Sequence, residues 1–355
     1  MCRGGSGRLF SRLGGPCGVT VSGGAVADDG GMSAEQRSAE ILVVGAGIAG
    51  LRAARTLKDA GRAVVVLEKS RGLGGRAATK RLHGTQADHG AQYFTAKDPR
   101  LQAQVDSWLE AGVLRVWTRG FHTLTPDGLE APKEGFPRYA FPDGMNTFGK
   151  LLGEGLDVRR ESLVTHLAKT ASGWRVSLAD GTRYTAGTLL VNVPAPQALA
   201  LGQNAFQDDT KTALRNVAFA PCLALMAGFA QAAPEWSGIE AEGPVSWLAN
   251  DPSKRHPTGE TTLVLHGSPA FSELHLETPE TALPEMLGVA ASLGFTGPRW
   301  TQLQRWRYSR VTKPYGGPYL REDASLFFCG DWCGGAKVEA AYLSGLEAAA
   351  AMLES

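Results

Sequence analysis

The feature that most constrains this chain is a short apolar run, residues 41–44, followed directly by three closely spaced glycines. Four consecutive apolar residues predict a β-strand that is buried on both faces. Gly45 permits a tight turn, Gly47 lets the backbone approach a pyrophosphate, and Gly50 lets the next helix pack closely on the strand. Because a helix N-terminus carries partial positive charge, the stretch predicts a β-turn-α unit that binds a dinucleotide.

The surrounding sequence supports this interpretation, which the glycine spacing alone would not establish in a chain with 45 glycines among 355 residues. Residues 51–60 are compatible with a helix, Gly61 ends it, and residues 63–67 predict a second buried strand that ends in Glu68. An acid at this distance from the glycines accepts hydrogen bonds from a ribose diol. A glycine-rich β-turn-α unit without a ligand is the alternative.

The composition excludes several functional classes. With a net charge of +1, the chain gives no indication of a nucleic-acid or membrane-surface partner, and it has no long apolar run typical of a membrane span. The five scattered cysteines do not form a disulfide framework, so a reducing cytoplasm is the expected location. Cys329 and Cys333 lack the flanking ligands of a zinc site, and we expect no metal.

Residues 1–38 differ from the rest of the chain. They carry several arginines with no acid before Asp28, and they lack the apolar segment of a secretory signal. We expect a disordered extension or, because Met32 lies in frame shortly before the first strand, upstream sequence from a misassigned start. An organelle-targeting leader is the remaining alternative.

A second signal follows the predicted ribose-binding acid. Gly74 and Gly75 precede Arg76, so backbone and guanidinium can converge on the same pyrophosphate. A surface loop with a solvated arginine is the alternative. Residues 87–94, Ala-Asp-His-Gly-Ala-Gln-Tyr-Phe, then place a glycine turn before two aromatics, as expected where the backbone passes near a flat ring.

Together, these motifs resemble the flavin-dependent amine oxidase superfamily, and especially its renalase-like branch of the bacterial type. The resemblance implies that the first glycine motif holds the ADP half of FAD rather than NAD. It also implies noncovalent FAD, because Cys329 and Cys333 do not lie in the motif that some members use for covalent attachment.

The same resemblance implies an α/β fold with a discontinuous Rossmann-type FAD-binding domain and a second α+β substrate domain on a mixed or antiparallel sheet. The expected FAD-binding domain comprises residues 39–97, 151–200 and 318–355, and the substrate domain comprises residues 98–150 and 201–317.

The C-terminal region carries a further cofactor signal. Residues 326–332 predict a strand that ends in Gly330 and Asp331, and a helix of small and apolar residues begins near Lys337. A carboxylate at a strand end can bind a ribityl hydroxyl, while the helix N-terminus can direct its dipole at the flavin. An ordinary β-α unit is the alternative. With Val164 added from the resemblance, the predicted cofactor-binding residues are Gly45, Gly47, Ile48, Ala49, Gly50, Glu68, Lys69, Gly75, Arg76, Ala91, Gln92, Tyr93, Val164, Asp331, Val338 and Glu339.

The resemblance implies an FAD-dependent oxidase. Members of this branch take a hydride from aberrant dihydro isomers of NAD(P)H, pass it to flavin and then to O2, and release NAD(P)+ and hydrogen peroxide. We therefore expect a small nicotinamide substrate and O2 as partners, no nucleic acid, no membrane, and a monomer or homodimer. Oxidation of a small primary or secondary amine is the first alternative, and a flavin-binding structural or redox-sensing protein is the second.

No firm catalytic residue emerges from the sequence. The seven histidines lie in unrelated contexts and are better explained as structural residues, and a flavin would perform the difficult step itself. Trp247, Trp306 and Tyr308 are candidate walls of a flat pocket, with packing in the hydrophobic core as a nearly equal alternative. The candidates for substrate phosphates, with surface packing as the alternative, are Lys254, Arg305 and Arg307.

Overall fold

The computed structural model describes residues 35–255 and 261–355, all within one compact unit that spans Ala34–Ser355. The strands, in chain order, are β1 (Gln36–Val44), β2 (Val64–Leu67), β3 (Thr79–Leu82), β4 (Thr85–Asp88), β5 (Arg115–Thr118), β6 (His122–Thr125), β7 (Gly128–Glu130), β8 (Arg138–Ala140), β9 (Asp157–Arg159), β10 (Val164–Thr170), β11 (Gly173–Leu178), β12 (Arg183–Val191), β13 (Ala218–Phe229), β14 (Gly238–Ala241), β15 (Val245–Asn250), β16 (Thr261–Gly267), β17 (Trp300–Lys313), β18 (Leu320–Asp323) and β19 (Leu326–Phe328). The helices are α1 (Ile48–Asp59), α2 (Pro99–Glu110), α3 (Thr147–Gly153), α4 (Ala195–Gly202), α5 (Asp208–Asn216), α6 (Pro269–Leu274), α7 (Leu283–Ser292), α8 (Asp331–Gly334) and α9 (Val338–Leu353), with 3-10 turns at Asp251–Lys254 and Pro279–Ala282.

The first large sheet is centred on the strand that the sequence predicted. β1 lies between β12 and β2, and both neighbours run parallel to it. β9 continues the parallel set beyond β2, while β10 and β11 extend the other side in antiparallel pairing and β19 also pairs with β12. The apolar residues 41–44 are buried, as expected for a central strand covered on both faces. The Rossmann-like part of the predicted fold is therefore confirmed.

β1 is longer than the sequence suggested. It begins at Gln36, where its first residues pair in parallel with the start of β12. The prediction of a disordered extension is therefore wrong for residues 36–38, because strand pairing fixes their backbone. The rest of that prediction, residues 1–34, lies outside the described residues.

Close helix packing covers one face of this sheet. A Cβ on Gly345 of α9 would lie 2.1 Å from the carbonyl oxygen of Ala49 in α1, so glycine alone permits this approach. On α1 itself, a Cβ at Gly50 would lie 2.4 Å from the carbonyl oxygen of Gly45. The helix therefore starts directly above the glycine turn, as the motif predicted.

The second large sheet has the order β17-β13-β16-β15-β14-β6-β7. Its pairs are antiparallel except for β14 and β6, which run parallel. One face packs in an apolar cluster with residues of α7, including Met286 and Ala290. The predicted mixed or antiparallel second sheet is confirmed.

The opposite face of the second sheet carries cross-strand neighbours that lie side by side. On β13, Ala224 pairs with His266 of β16, and His266 pairs in turn with Trp247 of β15. Trp306 of β17 pairs with Cys222, which is two residues before Ala224 and so projects to the same side. Directly paired residues project to the same side of a sheet. We call this side, defined by Trp306, Ala224, His266 and Trp247, the site face.

Local predictions hold to within a few residues, with one correction at the C-terminal cofactor signal. The Asp-Gly turn at residues 180–181 joins β11 and β12 as an antiparallel hairpin, with positive φ at Gly181. The last strand, however, ends at Phe328, and Asp331 is the first residue of α8 rather than a strand-end residue. Gly330 makes this break, since its φ of 153° is accessible to glycine.

The predicted division into two domains stays a prediction. The strands of the first sheet come from residues 36–67, 157–191 and 320–328, and those of the second come from residues 122–130 and 218–313. Within the described ranges, the chain has no helix that is long and apolar enough to cross a membrane.

Candidate active site

The two glycine motifs meet in space. The amide of Gly74 donates to the carbonyl oxygen of Ala46 at 2.9 Å, and Gly47 and Gly74 form an isolated parallel bridge. Gly75 has a φ of 60°, and a Cβ there would lie 3.1 Å from the Cα of Gly47. Only residues without side chains allow two backbones this close, so the structure joins the two sequence signals into one cradle.

Glu68 lies at the edge of this cradle, at the end of β2. Its carboxylate accepts from the amide of Ala46 at 2.8 Å and from the amide and hydroxyl of Ser70 at 2.8 and 2.6 Å. A carboxylate has about four acceptor sites, so one site stays available for a further donor. This arrangement suits the ribose hydroxyl that the sequence assigned to Glu68.

Arg76, which follows Gly75 of the cradle, and Asp331, from the C-terminal part of the chain, form an ion pair. The guanidinium donates to both carboxylate oxygens, at 2.9 and 2.6 Å, and also to the carbonyl oxygen of Ser309 at 2.9 Å. This paired geometry fixes the plane of the guanidinium. The structure therefore brings together two predicted cofactor residues that are 255 positions apart.

Two helices begin at the site without a side-chain cap. α1 has Gly47 at its N-cap and no acid in its first turn, and α9 has an uncapped N-terminus at Lys337. Both N-termini can therefore offer backbone N–H groups and partial positive charge to an anion or a carbonyl. Val338, Ile48 and Ala49 lie in these first turns, as predicted.

Glu339 lies in the first turn of α9. Its buried carboxylate accepts from the amides of Lys97 and Asp98, at 2.5 and 2.8 Å, just before α2. These two hydrogen bonds leave further acceptor sites on the carboxylate, and the role of Glu339 in cofactor binding stays a prediction.

Val164 and Lys69 occupy the ribose side of the cradle. Val164 is buried and packs in the same cluster as Val44 and Leu67, two residues after Ser162, whose amide donates to the carbonyl oxygen of Glu68 at 2.8 Å. Lys69 is exposed at the end of β2. Both positions agree with the adenosine side of the predicted site.

A loop connects this cradle with the site face. The backbone of this loop, residues 88–94, passes Arg76, whose carbonyl oxygen accepts a hydrogen bond from the amide of Ala91 at 2.9 Å. A Cβ on Gly90 would lie 1.9 Å from that oxygen, so the crossing requires glycine. The predicted run of residues 88–94 therefore bridges cofactor cradle and site face.

Two side chains of the loop, His89 and Tyr93, pack against the site face. The His89 ring stacks on Trp306 with centroids 5.3 Å apart and an interplanar angle of 14°, and the Trp306 indole donates to the His89 carbonyl oxygen at 2.8 Å. Tyr93 packs against Trp247 with centroids 5.8 Å apart. The Gln92 side chain is directed into a buried polar network, and its predicted role in cofactor binding stays a prediction.

The aromatic pocket candidates do not form one wall. Trp306 and Trp247 lie on the site face at different strands, each against its own loop residue. Tyr308 packs edge-on against Phe219, with centroids 5.7 Å apart, and the Phe219 ring also lies beneath the Arg76 guanidinium. Tyr308 follows Trp306 by two positions on β17, and its contact with Phe219 places it near Arg76.

The three predicted phosphate ligands are wrong. Arg305 and Arg307 both pair with Glu277, on strand positions that alternate with Trp306 and so face away from the site face. Lys254 is fully buried and pairs with Asp88 and Asp251. In each case a carboxylate elsewhere in the fold satisfies the cation.

Other cations, missed by the sequence analysis, surround the site face. Arg138 lies over the Phe121 ring at 4.6 Å and donates to backbone carbonyl oxygens, and Lys80 lies near His89. Burial chiefly raises the pKa of Tyr93; Arg138 and Arg310 oppose this, and Glu240 adds to it. Among the described residues, Lys80, Arg138 and Arg310 have no carboxylate bonded to them.

The two histidines at the site are held neutral. Burial, with a smaller contribution from Lys80, lowers the pKa of His89 to about 4. Burial, with contributions from Lys254 and His89, lowers the pKa of His266 to about 3. Neither imidazole is therefore protonated near neutral pH. The described residues also contain no cluster of His, Cys, Asp and Glu that could hold a metal.

Asn192 is a further site residue that the sequence did not indicate. It follows β12, donates to the carbonyl oxygen of Gly45 at 3.1 Å, and lies 3.0 Å from where a Cβ on Gly47 would be. Nothing in its local sequence marks it, because its role arises from the parallel pairing of β12 with β1. The glycine cradle, the uncapped helices and the acceptor at Glu68 together fit a dinucleotide cofactor.

Comparisons with known proteins agree with this geometry. The profile of the NAD(P)-binding Rossmann-like domain matches residues 43–108, and that of the flavin containing amine oxidoreductase family matches residues 107–353, more than half of the chain. The chain is 36% identical to putrescine oxidase of Kocuria rosea over 132 residues, which are 37% of this chain and 26% of that protein. It is 34% identical to (S)-6-hydroxynicotine oxidase of Paenarthrobacter nicotinovorans over 96 residues, 26% of this chain and 23% of that protein.

These sequence matches span about a quarter of the length of those relatives. Among solved structures, cyclohexylamine oxidase of Brevibacterium oxydans IH-35A superposes with a TM-score of 0.69 at 13% identity, covering 89% of this chain and 99% of that chain. At this identity the similarity shows the fold.

Proposed function

The chain belongs to the flavin containing amine oxidoreductase family, and from this premise we propose that it is a renalase-like oxidase acting on dihydro isomers of NAD(P)H reduced at the wrong ring position. The protein is a flavin-dependent oxidoreductase, and its cofactor is FAD. In the proposed reaction a C–H bond of the dihydropyridine ring breaks, and its hydrogen leaves with both electrons. The ring becomes aromatic NAD(P)+, and O2 takes up two electrons and two protons to give hydrogen peroxide.

Residues of this chain would hold the cofactor without a covalent bond. Gly47, Gly75 and the α1 N-terminus would surround its pyrophosphate, Glu68 its ribose, and Arg76 with Asp331 its ribityl side. When bound, FAD supplies the two-electron acceptor for the substrate and passes the electrons to O2.

No protein base is needed, because the nitrogen lone pair of the dihydropyridine ring expels the hydride. The neutral state of His89 and His266 is consistent with such a reaction. The chain's task is then to orient a flat ring and to exclude water.

The observation that carries the proposal is the charge beside the flat aromatic surface. Lys80, Arg138 and Arg310 lie around the loop that crosses the site face, without a bonded carboxylate in the described part of the chain. A substrate with phosphates would neutralise these cations. The nearly parallel rings of His89 and Trp306 present flat aromatic surface here, which supports a planar substrate. A nicotinamide nucleotide has both properties.

Anaerobic mixing of the FAD-loaded protein with 1,2-dihydro-NAD(P) tests the proposal. The visible absorption of the flavin should bleach within seconds, and NAD(P)+ should accumulate in an amount equal to the flavin reduced. Ordinary NAD(P)H, reduced at the usual position, is the control and should bleach it much more slowly. No bleaching by any dihydro isomer would refute the proposal.

A small primary or secondary amine is the second candidate substrate, and one observation favours it. Glu240 is exposed on the site face opposite Trp247, and it is near enough to Tyr93 to raise the pKa of that phenol. A carboxylate beside aromatic rings suits a cationic amine. Bleaching by putrescine or cyclohexylamine, with none by dihydronicotinamides, would favour this candidate. Bleaching by neither class would favour a flavin-binding protein without turnover.

The cytoplasm remains the expected compartment. The described cysteines, Cys222, Cys329 and Cys333, are free thiols, which is consistent with a reducing environment. A monomer or homodimer likewise remains our expectation.

A further inference from the structure

A buried polar network behind the site face controls one imidazole on that face. We propose that Lys254 and Gln92 are positioning residues that fix His266 as the Nδ1–H tautomer, so that it offers a hydrogen bond to a carbonyl acceptor of the substrate. The part of this inference that concerns the substrate rests on the proposed function.

Lys254 is the anchor of the network. Its side chain has 0% exposure, and its ammonium donates to Gln92 at 2.7 Å, to Asp251 at 3.1 Å and to Asp88 at 3.3 Å. Since an ammonium has three N–H bonds and no acceptor, all of its donors are used. Arg255 pairs with the same two aspartates, so the buried charges balance as two cations and two anions.

The two aspartates of the network make further contacts that hold them in place. Asp88 also accepts from the Thr79 hydroxyl at 2.6 Å and from the Met145 amide at 2.9 Å. Burial favours the neutral form of Asp251, but Lys254 and Arg255 more than offset this effect and lower the pKa of its carboxyl. These contacts hold the buried ion pairs in one geometry, and removing one partner would leave a buried charge uncompensated.

Lys254 determines which way the Gln92 amide points. The shortest ammonium contact goes to the amide oxygen of Gln92. If the amide were turned round, its NH2 group would face the ammonium donor at that short distance, and neither group could accept. The NH2 group therefore lies on the opposite side, where it donates to the carbonyl oxygens of Asp88 and Gly90 and contacts Nε2 of His266 at 3.4 Å.

The orientation of Gln92 decides the tautomer of His266. The two N–H bonds of the Gln92 amide serve the carbonyl oxygens of Asp88 and Gly90, and its nitrogen cannot accept a hydrogen bond. A proton on Nε2 of His266 would therefore be directed at a donor group 3.4 Å away, so the single proton of the neutral ring lies on Nδ1. Among the described residues, no acceptor is bonded to Nδ1. The partly exposed His266 lies between Ala224 and Trp247 on the site face, so its N–H is a donor that no described residue accepts.

A carbonyl acceptor fits this donor. The carboxamide oxygen of a nicotinamide is such an acceptor, whereas a simple protonated amine has only donors. A fixed neutral donor on the site face would therefore select substrates that carry a carbonyl group on a flat ring.

Nitrogen NMR of the FAD-loaded protein with 15N-labelled histidine tests the tautomer directly. His266, assigned by loss of its signals in His266→Asn, should show a protonated Nδ1 and an unprotonated Nε2. In Gln92→Glu the residue at position 92 cannot donate, so Nε2 of His266 should become protonated. Gln231→Glu is the matched control, because the Gln231 amide donates to the Thr296 carbonyl oxygen at 2.9 Å, away from this network, and it should leave the His266 signals unchanged. A protonated Nε2 in the wild-type protein, or an unchanged tautomer in Gln92→Glu, would overturn the proposal.

Binding of NAD+, followed through the perturbation of the flavin spectrum, tests the substrate part. Gln92→Glu should weaken NAD+ binding about threefold to tenfold, the effect of losing one hydrogen bond. Unchanged binding would refute the role toward substrate. If no dihydro isomer reduces the wild-type flavin, the proposed function fails. The NMR result still decides whether Gln92 fixes the tautomer of His266.

Discussion

At the scale of single residues, the site is built from groups whose charge is set by their surroundings. Glu68 and Asp331 face donors, Lys254 faces two aspartates, His89 is a buried neutral ring and His266 a partly exposed one. The sequence identified the first two because they belong to β-α units with glycine motifs. It did not indicate the contacts of Lys254 with Asp88 or of His89 with Trp306, which join residues 166 and 217 positions apart.

The neutral histidines predict a pH dependence of stability. The pKa of His89 falls from 6.5 to about 4 on folding, so between these pH values the unfolded chain binds a proton that the folded chain does not. Stability should therefore decrease as the pH falls from 6.5 to 4, by a few kcal/mol. Urea unfolding of His89→Asn should show a shallower slope in this window and a parallel curve above pH 7. An identical slope would contradict the assignment.

The charges around the site face predict opposite effects of two neutralising substitutions. Arg138→Gln should raise KM for dihydro-NAD(P) by about tenfold, the effect of losing one charge-assisted hydrogen bond to phosphate. Glu240→Gln should leave that KM unchanged or lower it, because it removes the nearby negative charge. Steady-state oxygen consumption measures both. If Glu240→Gln instead abolishes amine oxidation while Arg138→Gln has no effect, the amine is the substrate.

At the scale of elements, two features position the site: the close approach of α1 and α9, and the loop of residues 88–94 that runs from Arg76 to the site face. The sequence predicted both helices and the first strand, since a central parallel strand and a helix with small residues have clear patterns. The crossing of the loop over the site face depended on Gly90 passing Arg76, which no local pattern indicates.

The helix packing predicts a contrast between two glycines. Gly345→Ala should destabilise the protein by about 3 kcal/mol, because the new Cβ would lie 2.1 Å from the Ala49 carbonyl oxygen and would force α9 away from α1. Gly288→Ala, inside α7 with nothing within 4 Å of the new Cβ, should stabilise it by about 0.5–1 kcal/mol. Urea unfolding compares them, and equal effects would contradict the packing argument.

At the scale of the whole molecule, the FAD site is closed by residues from both ends of the described chain. Arg76 and Asp331 are part of one cradle only after β19 has paired with β12 and α9 has packed on α1. Cofactor binding therefore reports on the folding of the entire unit. Any ligand that binds the folded state alone also stabilises it.

The ion pair predicts energetic coupling across the molecule. In a double-mutant cycle, Arg76→Met and Asp331→Asn should show about 1–2 kcal/mol of coupling in the unfolding of the FAD-free protein, since the pair is doubly bonded and partly buried. Each variant should also have lower FAD occupancy. The matched pair Lys169→Met and Asp323→Asn, which is more exposed, should show less than about 0.5 kcal/mol. Equal coupling in the two cycles would contradict the role of Arg76 and Asp331.

The sequence by itself predicted the Rossmann-like unit and most elements to within a few residues, while the assignment of the glycine cradle to FAD stays a prediction. Glycine spacing, apolar runs and an acid after a strand are local patterns, and together they indicate such a unit. It failed for Lys254, Arg305 and Arg307, because a cation's partner depends on which carboxylate the fold places beside it.

Only the tertiary structure decided the substrate side. It placed Trp306 and Trp247 on one sheet face, packed Tyr308 against Phe219, and left Lys80, Arg138 and Arg310 without a bonded carboxylate in the described residues. The physical reason is that sheet register determines which side chains share a face, and register is set by strand pairing between distant segments.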